Sequence, residues 1–197
     1  MDLNTMRTIL RRDLKDEDPE NYRWSDDELD RHIAHAVREF SEAIPLPAKA
    51  VMPTTPGSRV IDISSLTDRV MVEAVEYPVG KFPSQYQRFA LWGHMLTLFG
   101  DEVPDGSNCN VYYAILHTLD AEGSTIPAKH EDLVATGACG YAAVEWAIYA
   151  VNRVNVGGTV TPGEFLSWGG EKLRYFKTEL KRLGRRNRVR IRQLYRQ

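Results

Sequence analysis

Apolar residues recur at helical spacing near the start of the chain, where Leu3, Met6, Ile9 and Leu10 follow Asp2 and predict a short helix to about Leu14. The acidic stretch KDEDPENYRW (15–24) breaks this pattern at Pro19. At Ser25 the run SDDE supplies a hydroxyl for an N-cap, Glu28 to close a capping box, and further carboxylates for the positive first turn. Leu29, Ile33, Ala36, Val37, Phe40 and Ile44 then form one stripe of a second helix, which Pro45 and Pro47 end.

From Leu46 to about Leu119 the period changes from 3.6 to 2, with short β-rich runs between clusters of Pro, Gly, Ser and Asp. The runs AKAVM, RVIDIS, MVEAVEYP, QRFALWG, MLTLFG and VYYAILHTL predict antiparallel strands of a sandwich-like subdomain. After Pro127 helical spacing returns for about twenty-five residues, with Leu133, Val134, Ala138, Tyr141, Val144, Ile148 and Val151 as the apolar side. Gly137, Ala138, Cys139, Gly140, Ala142 and Ala143 make the middle of that helix narrow enough for a close neighbour. NVGGTVTPGE then predicts a turn and a new start, with Thr161 as N-cap, Pro162 at the first helical position and Glu164 closing the box. Phe165, Leu166, Leu173, Phe176, Leu180 and Leu183 form the last buried stripe, and Gly184 is the predicted stop.

The expected fold class is therefore α+β: a bundle of about four helices (1–45 and 120–184), an inserted antiparallel β-sandwich-like subdomain (46–119), and an extended basic C-terminal tail (185–197). In that tail Val189 and Ile191 alternate with Arg188, Arg190 and Arg192, and Tyr195 shares the parity of the apolar pair. Arg185, Arg186 and Arg196 complete six arginines in thirteen residues. The alternation reads as a strand, and because no neighbouring segment offers it a partner, the partner expected is another chain.

Charge sharpens the division. Residues 1–180 hold seventeen basic residues against all twenty-seven acidic ones, a formal charge of −10, while 181–197 carry eight Lys or Arg and no acid. An acidic body with a basic end points to a separate interaction for that end. No run of apolar residues is long enough for a membrane span and the start lacks a signal-peptide core, so synthesis in the cytoplasm and no membrane role are expected. Cys109 and Cys139 have no ligand-like spacing and read as buried free thiols.

Candidate chemistry is sparse. VGGTVTPG lacks the spacing of a phosphate loop and leads out of a helix. His32 and His35 could come together on a helix, yet no further ligand completes a metal site, so both read as solvated or interfacial. Cys139 with His117 or His130 has no nucleophile signature around it, and core packing is the simpler role. SDDELD lacks the glycine and spacing of a calcium loop, and helix capping accounts for three of its four carboxylates. Tyr141, Trp146, Tyr149, Trp168, Tyr175 and Phe176 could line a ligand box, but helical spacing favours core or helix–helix contacts. Neither a catalytic centre, a cofactor nor a metal is expected.

The segment YRWSDDELDRHIAHAVREFSEAIP (Tyr22 to Pro45) resembles the head-tail adaptor proteins, also called connector or head-completion proteins, of long-tailed bacteriophages. These share a W[ST]DDEL entry to a helix with a proline-rich exit. The β segment followed by GSTIPAKHEDLVATGACGYAA looks like the subgroup with a β-sandwich between its helices. The resemblance implies a non-enzymatic virion protein at the head-tail junction, present in host cytoplasm before assembly. It implies a homo-oligomeric ring, a dodecamer matching the portal, that joins portal protein to the next neck or tail protein and lets DNA pass without specific binding. It places the portal contact in the tail, at Arg185, Arg186, Arg188, Val189, Arg190, Ile191, Arg192, Tyr195 and Arg196. Many members are shorter and purely helical. The alternative from another class is a nucleic-acid-binding protein that uses its basic C-terminal arm.

Overall fold

A computed structural model describes residues 1–150 and 161–193, with side-chain surroundings as far as Arg186. The chain is α+β. Its helices are α1 (Leu3–Leu14), α2 (Asp26–Ala43), α3 (Glu131–Ala150, preceded by a 3₁₀ turn at Ala128–His130) and α4 (Pro162–Gln193). Its strands are β1 (Leu46–Met52), β2 (Val60–Asp62), β3 (Arg69–Glu76), β4 (Tyr86–Gln87), β5 (Phe89–Trp92), β6 (Met95–Leu98) and β7 (Cys109–Ile115). Met1–Ile44 and His117–Arg185 form one compact unit, and Pro45–Leu116 falls in another.

In the helical unit the starts predicted at Asp2, Ser25 and Thr161 have their caps. The Asp2 carboxylate accepts from Thr5 N at 2.7 Å at the head of α1. Thr161 and Glu164 exchange side-chain-to-backbone bonds at the head of α4. Met6, Leu10 and Leu14 of α1 pack with Leu29, Ile33 and Phe40 of α2, and with Val134 and Phe176, in one buried cluster. The interior side of α3 keeps Val134 and Ala138 of the expected stripe, with Leu133 and Tyr141 half-buried, but is otherwise built of small residues. Ala135, Ala138, Cys139, Ala142, Ala143 and Ala147 are buried, whereas Ile148 is exposed. The cause is the closeness of α4. A Cβ at Gly169 would lie 3.0 Å from Ala143 Cβ and 3.1 Å from the Gly140 carbonyl oxygen. Small residues fit between backbones that near, the larger Val144 beside them is half-buried, and Ile148 is turned to solvent.

The β unit holds two antiparallel sheets, β1-β7-β3-β4 and β2-β6-β5. Met52, Val75 and Val111 from the first share one buried cluster with Ile61, Leu96 and Leu98 from the second, the arrangement of a small sandwich. Beside that cluster the Glu76 carboxylate accepts from Asn110 Nδ2 and Tyr112 Oη, each at 2.8 Å. Those bonds hold Glu76 below the usual range, while burial and the neighbouring carboxylate push the Tyr112 phenol up to about 12. At the far end of β3, Tyr77 Oη donates to Asp105 Oδ1 and accepts from Asp105 N, both at 2.9 Å.

The end of the chain departs from its expected form. Gly184 does not stop α4, which continues helical to Gln193, so Arg185 to Gln193 are not an extended strand. Arginine and glutamine are good helix formers, an isolated glycine costs only about 1 kcal/mol in a helix, and no strand lies beside this segment in sequence. Apart from its ends, a helix meets its backbone hydrogen bonds internally, which an unpartnered strand cannot do.

The helical glycines yield a paired test. A methyl at Gly137 would come within 2.8 Å of the Phe176 ring, which is fully buried and has nowhere to go, whereas at Gly170 it would meet nothing within 4 Å. Gly137→Ala should lower stability by about 1 kcal/mol or more, overpacking outweighing the gain in helix propensity. Gly170→Ala should raise it by up to about 1 kcal/mol. Urea unfolding of the two variants against the parent reads both signs.

Candidate functional site

The residues that carry the resemblance surround the hairpin of α1 and α2. Arg7 and Arg11 stand four apart on α1, and Asp26 and Asp30 stand four apart on α2. Antiparallel helices bring the two ladders together: Arg7 binds both Asp30 oxygens, and Arg11 Nη2 donates to Asp26 Oδ1 at 2.7 Å. Arg11 is 8% exposed and its guanidinium is the hub of the connecting loop. Nη1 donates to Asp16 Oδ2 at 2.7 Å, Nη2 also reaches the Trp24 carbonyl at 3.1 Å, and the Tyr22 ring lies 3.5 Å from the guanidinium carbon. Asp16, itself buried, accepts from Arg23 N through its other oxygen. A basic side chain in the interior is thus paired with two acids and a carbonyl and covered by an aromatic face.

Trp24 is buried and tilts against Trp146, which tilts in turn against Phe165. One residue later the predicted capping box is present. Ser25 N donates to Glu28 Oε2 at 2.7 Å and Glu28 N donates to Ser25 Oγ at 3.3 Å, which lowers the Glu28 pKa. Asp26 is held below its usual range chiefly by Arg11. Of the SDDELD carboxylates, Glu28 is the one whose side chain closes the box. Asp26 and Asp30 serve the arginines of α1, a role that helix capping alone did not anticipate.

His32 is buried rather than solvated, because it lies between Leu29 and Ala36 on the edge of the apolar stripe of α2. Its Nε2 is 2.9 Å from a Glu145 oxygen but outside hydrogen-bond geometry, and that carboxylate binds Arg31. Burial outweighs the attraction and pushes the imidazole pKa down. His35 is exposed and stacks on Tyr141 with ring centroids 4.1 Å apart.

The remaining candidates are not brought together. Cys139 is buried, 4.0 Å from Asp13 Oδ2, and its thiol is pushed up to about 12 by burial, which suits packing and not nucleophilic attack. Cys109 is a buried free thiol as expected. The imidazole of His117 clamps two segments, with Nε2 3.0 Å from the Ile44 carbonyl and Nδ1 within 3.1 Å of Thr125 Oγ1. His130 tilts against Phe40. Of the aromatic set, Phe176 is buried, Trp168 lies under Lys172, Tyr149 and Tyr175 are largely exposed, and the described residues do not gather the set into one box. Among the described residues no group of His, Cys, Asp and Glu could hold a metal ion, and no helix is long and apolar enough to cross a membrane.

The open clefts among the described residues include two. One of about 260 Å³ lies between the start of α3 and α4, lined by Lys129, Asp132, Tyr175, Glu179 and Arg182 among others, and its Glu179–Arg182 pair is closed on itself. The other, about 440 Å³, lies in the β unit beside Tyr86, Arg88, Phe99 and Asp101. The Thr136 hydroxyl that also lines the first donates to the Asp132 carbonyl. In the predicted portal-binding tail, Arg185 and Arg186 are exposed on α4, and Arg188, Val189, Arg190, Ile191 and Arg192 lie on its helical continuation. Tyr195 and Arg196 lie outside the described residues.

No protein-family model matches the chain. No curated protein is significantly similar to it.

The capping box has a measurable signature. Ser25→Ala should cost about 1 kcal/mol near neutral pH. Glu28 has its pKa lowered in the fold, so its share of the box is complete above the unfolded value of 4.5 and is lost as pH falls through the lower folded value. The gap between the parent and Glu28→Ala in thermal melting should therefore narrow as pH falls below that value, and a pH-independent gap would show that the Glu28 carboxylate adds nothing to the box.

Proposed function

We propose that the chain is a structural head-tail adaptor of a phage or phage-like particle, a ring beneath the portal that continues the DNA channel toward the neck or tail. The observation that carries this reading is the construction of the WSDDEL entry. Trp24 is buried, Ser25 and Glu28 cap α2, Asp26 binds Arg11, and Leu29 lies in the core. The shared letters thus set the geometry of a helix–loop–helix whose second helix leads directly into a β unit. A chain assembled head to tail around a ring must present two different faces, and a helical unit with a β unit inserted in it offers surfaces of different character. The acidic body suits a channel that DNA crosses without being held by counterion release. The basic segment from Arg185 onward is assigned to the portal through its charge, carried on a helix and not on an added strand.

The test is electron microscopy and co-sedimentation of the purified chain with its portal. Ring density on the portal is expected, and truncation after Gly184 should leave a folded protein that no longer joins it. A chain that ignores the portal would overturn the proposal. Duplex-DNA affinity that falls steeply with salt would instead favour a nucleic-acid-binding arm.

A further inference from the structure

The three-stranded sheet of the β unit is apolar on both faces. Its inner face holds Ile61, Leu96 and Leu98, all buried. Antiparallel sheets covered on one side ordinarily turn polar residues outward on the other. Here the alternation turns Val60, Ala90, Trp92, Met95 and Phe99 outward, all exposed, with Trp92 at 87%. Thr97 sits at the centre of this face, paired with Val60 on one side and Ala90 on the other. An outward apolar surface of this kind, rimmed by polar groups, marks an interaction site.

The register fixes where the charges lie. Met95 pairs with Asp62 on β2 and with Trp92 on β5, so Asp62 and Trp92 occupy the two corners at one end. At the other end Phe99 N donates to the Arg88 carbonyl at 2.8 Å, which puts Arg88 at the β5 corner. Asp62 and Arg88 are exposed and stand at diagonally opposite corners. A two-fold axis along the other diagonal, through Trp92 and Thr97, superposes this face on itself. Arg88 of one copy then meets Asp62 of the next, twice. Val60 meets Phe99, Met95 meets Ala90, and Trp92 meets its own equivalent. The same operation crosses the strands of the two sheets near a right angle, one of the two preferred ways that sheets pack.

We propose that this outer face is a self-complementary docking surface and that its occupant is the same face of a second copy of the chain. The contact is small. Three strands spaced about 4.8 Å apart, with three outward rows, cover on the order of a few hundred Å² per copy, against roughly 800 Å² per partner in a standard stable interface. The pair is therefore a weak one that forms in the micromolar range. A face-to-face contact with two-fold symmetry cannot repeat around a ring whose copies all point one way, so the pair belongs to the free protein and keeps the apolar sheet from water. The proposal is independent of the adaptor reading, since it concerns the chain alone.

Sedimentation velocity of the full chain across the micromolar range tests it. A monomer–dimer equilibrium is expected. Arg88→Glu and Asp62→Lys should each weaken it about tenfold or more, because each places two like-charge pairs in the contact. The double variant, with the charges exchanged, should recover dimerisation. Asp62 also accepts from Ser64 N, so each variant is checked for a parent-like circular dichroism spectrum. As a second measurement, Trp92→Cys should give a disulfide-linked dimer on mild oxidation, while Phe82→Cys, fully exposed on another loop, should not. A monomer at all concentrations, a dimer indifferent to both charge reversals, or a double variant no better than the singles would overturn the proposal.

Discussion

The arrangement of the first helix pair rests on the burial of one arginine. A guanidinium cannot shed its charge, so taking Arg11 into the interior is tolerable only if that charge is paired and its buried donors find acceptors. Asp16, Asp26 and the Trp24 carbonyl accept from its two terminal nitrogens, and the Tyr22 ring covers the face. Each partner lies in the loop after α1 or at the first position of α2, so satisfying one side chain fixes the path of the whole connection. The loop is rich in acid, yet it has one conformation because one of its acids is buried against Arg11 and against Arg23 N. With the connection fixed, Trp24 enters the core and Ser25 arrives where it can cap.

A second constraint acts at the other end of the helical unit. The backbones of α3 and α4 approach until the carbonyl of Gly140 and the Cα of Gly169 leave no space for a methyl between them. Close approach trades large apolar side chains for short contacts along both helices, which is why α3 fills its core with alanines while Ile148 faces solvent. The β unit has a smaller hub of the first kind, Arg69 donating to the carbonyls of Ile63, Leu66 and Gly93. It closes two small sheets over their own cluster, and polar groups at its margin, Glu76 with Asn110 and Tyr77 with Asp105, bond to one another.

Much of this was legible in the sequence because it depends on local rules. The caps at Ser25 and Thr161 follow from residue spacing alone, and the period change after Pro45 marks the strands. The narrow middle of α3 foretold a close neighbour. What was not legible depends on which surfaces meet. The face that α3 buries is shared with α4, so the expected stripe is right at Val134 and Ala138 and fails at Ile148, where small residues take the interior. His32 was read by its polarity and not by its place between Leu29 and Ala36. The pairing of Arg7 and Arg11 with Asp26 and Asp30 had a signal in the matched four-residue spacing, but it requires knowing that the helices are antiparallel neighbours. At the chain's end, alternation of Arg with Val and Ile suggested a strand, and the intrinsic preference of arginine for helix, with no partner strand at hand, decided otherwise.

The structural reading of the WSDDEL entry stands or falls with Arg11. Urea unfolding of Arg11→Met measures it most directly, since methionine keeps much of the apolar stem and removes only the charge and its donors. Leaving Asp16 buried without its partner should cost about 3–5 kcal/mol, and adding Asp16→Leu should recover a substantial part of the loss. A loss below about 1 kcal/mol, or a double variant no more stable than the single one, would contradict the account.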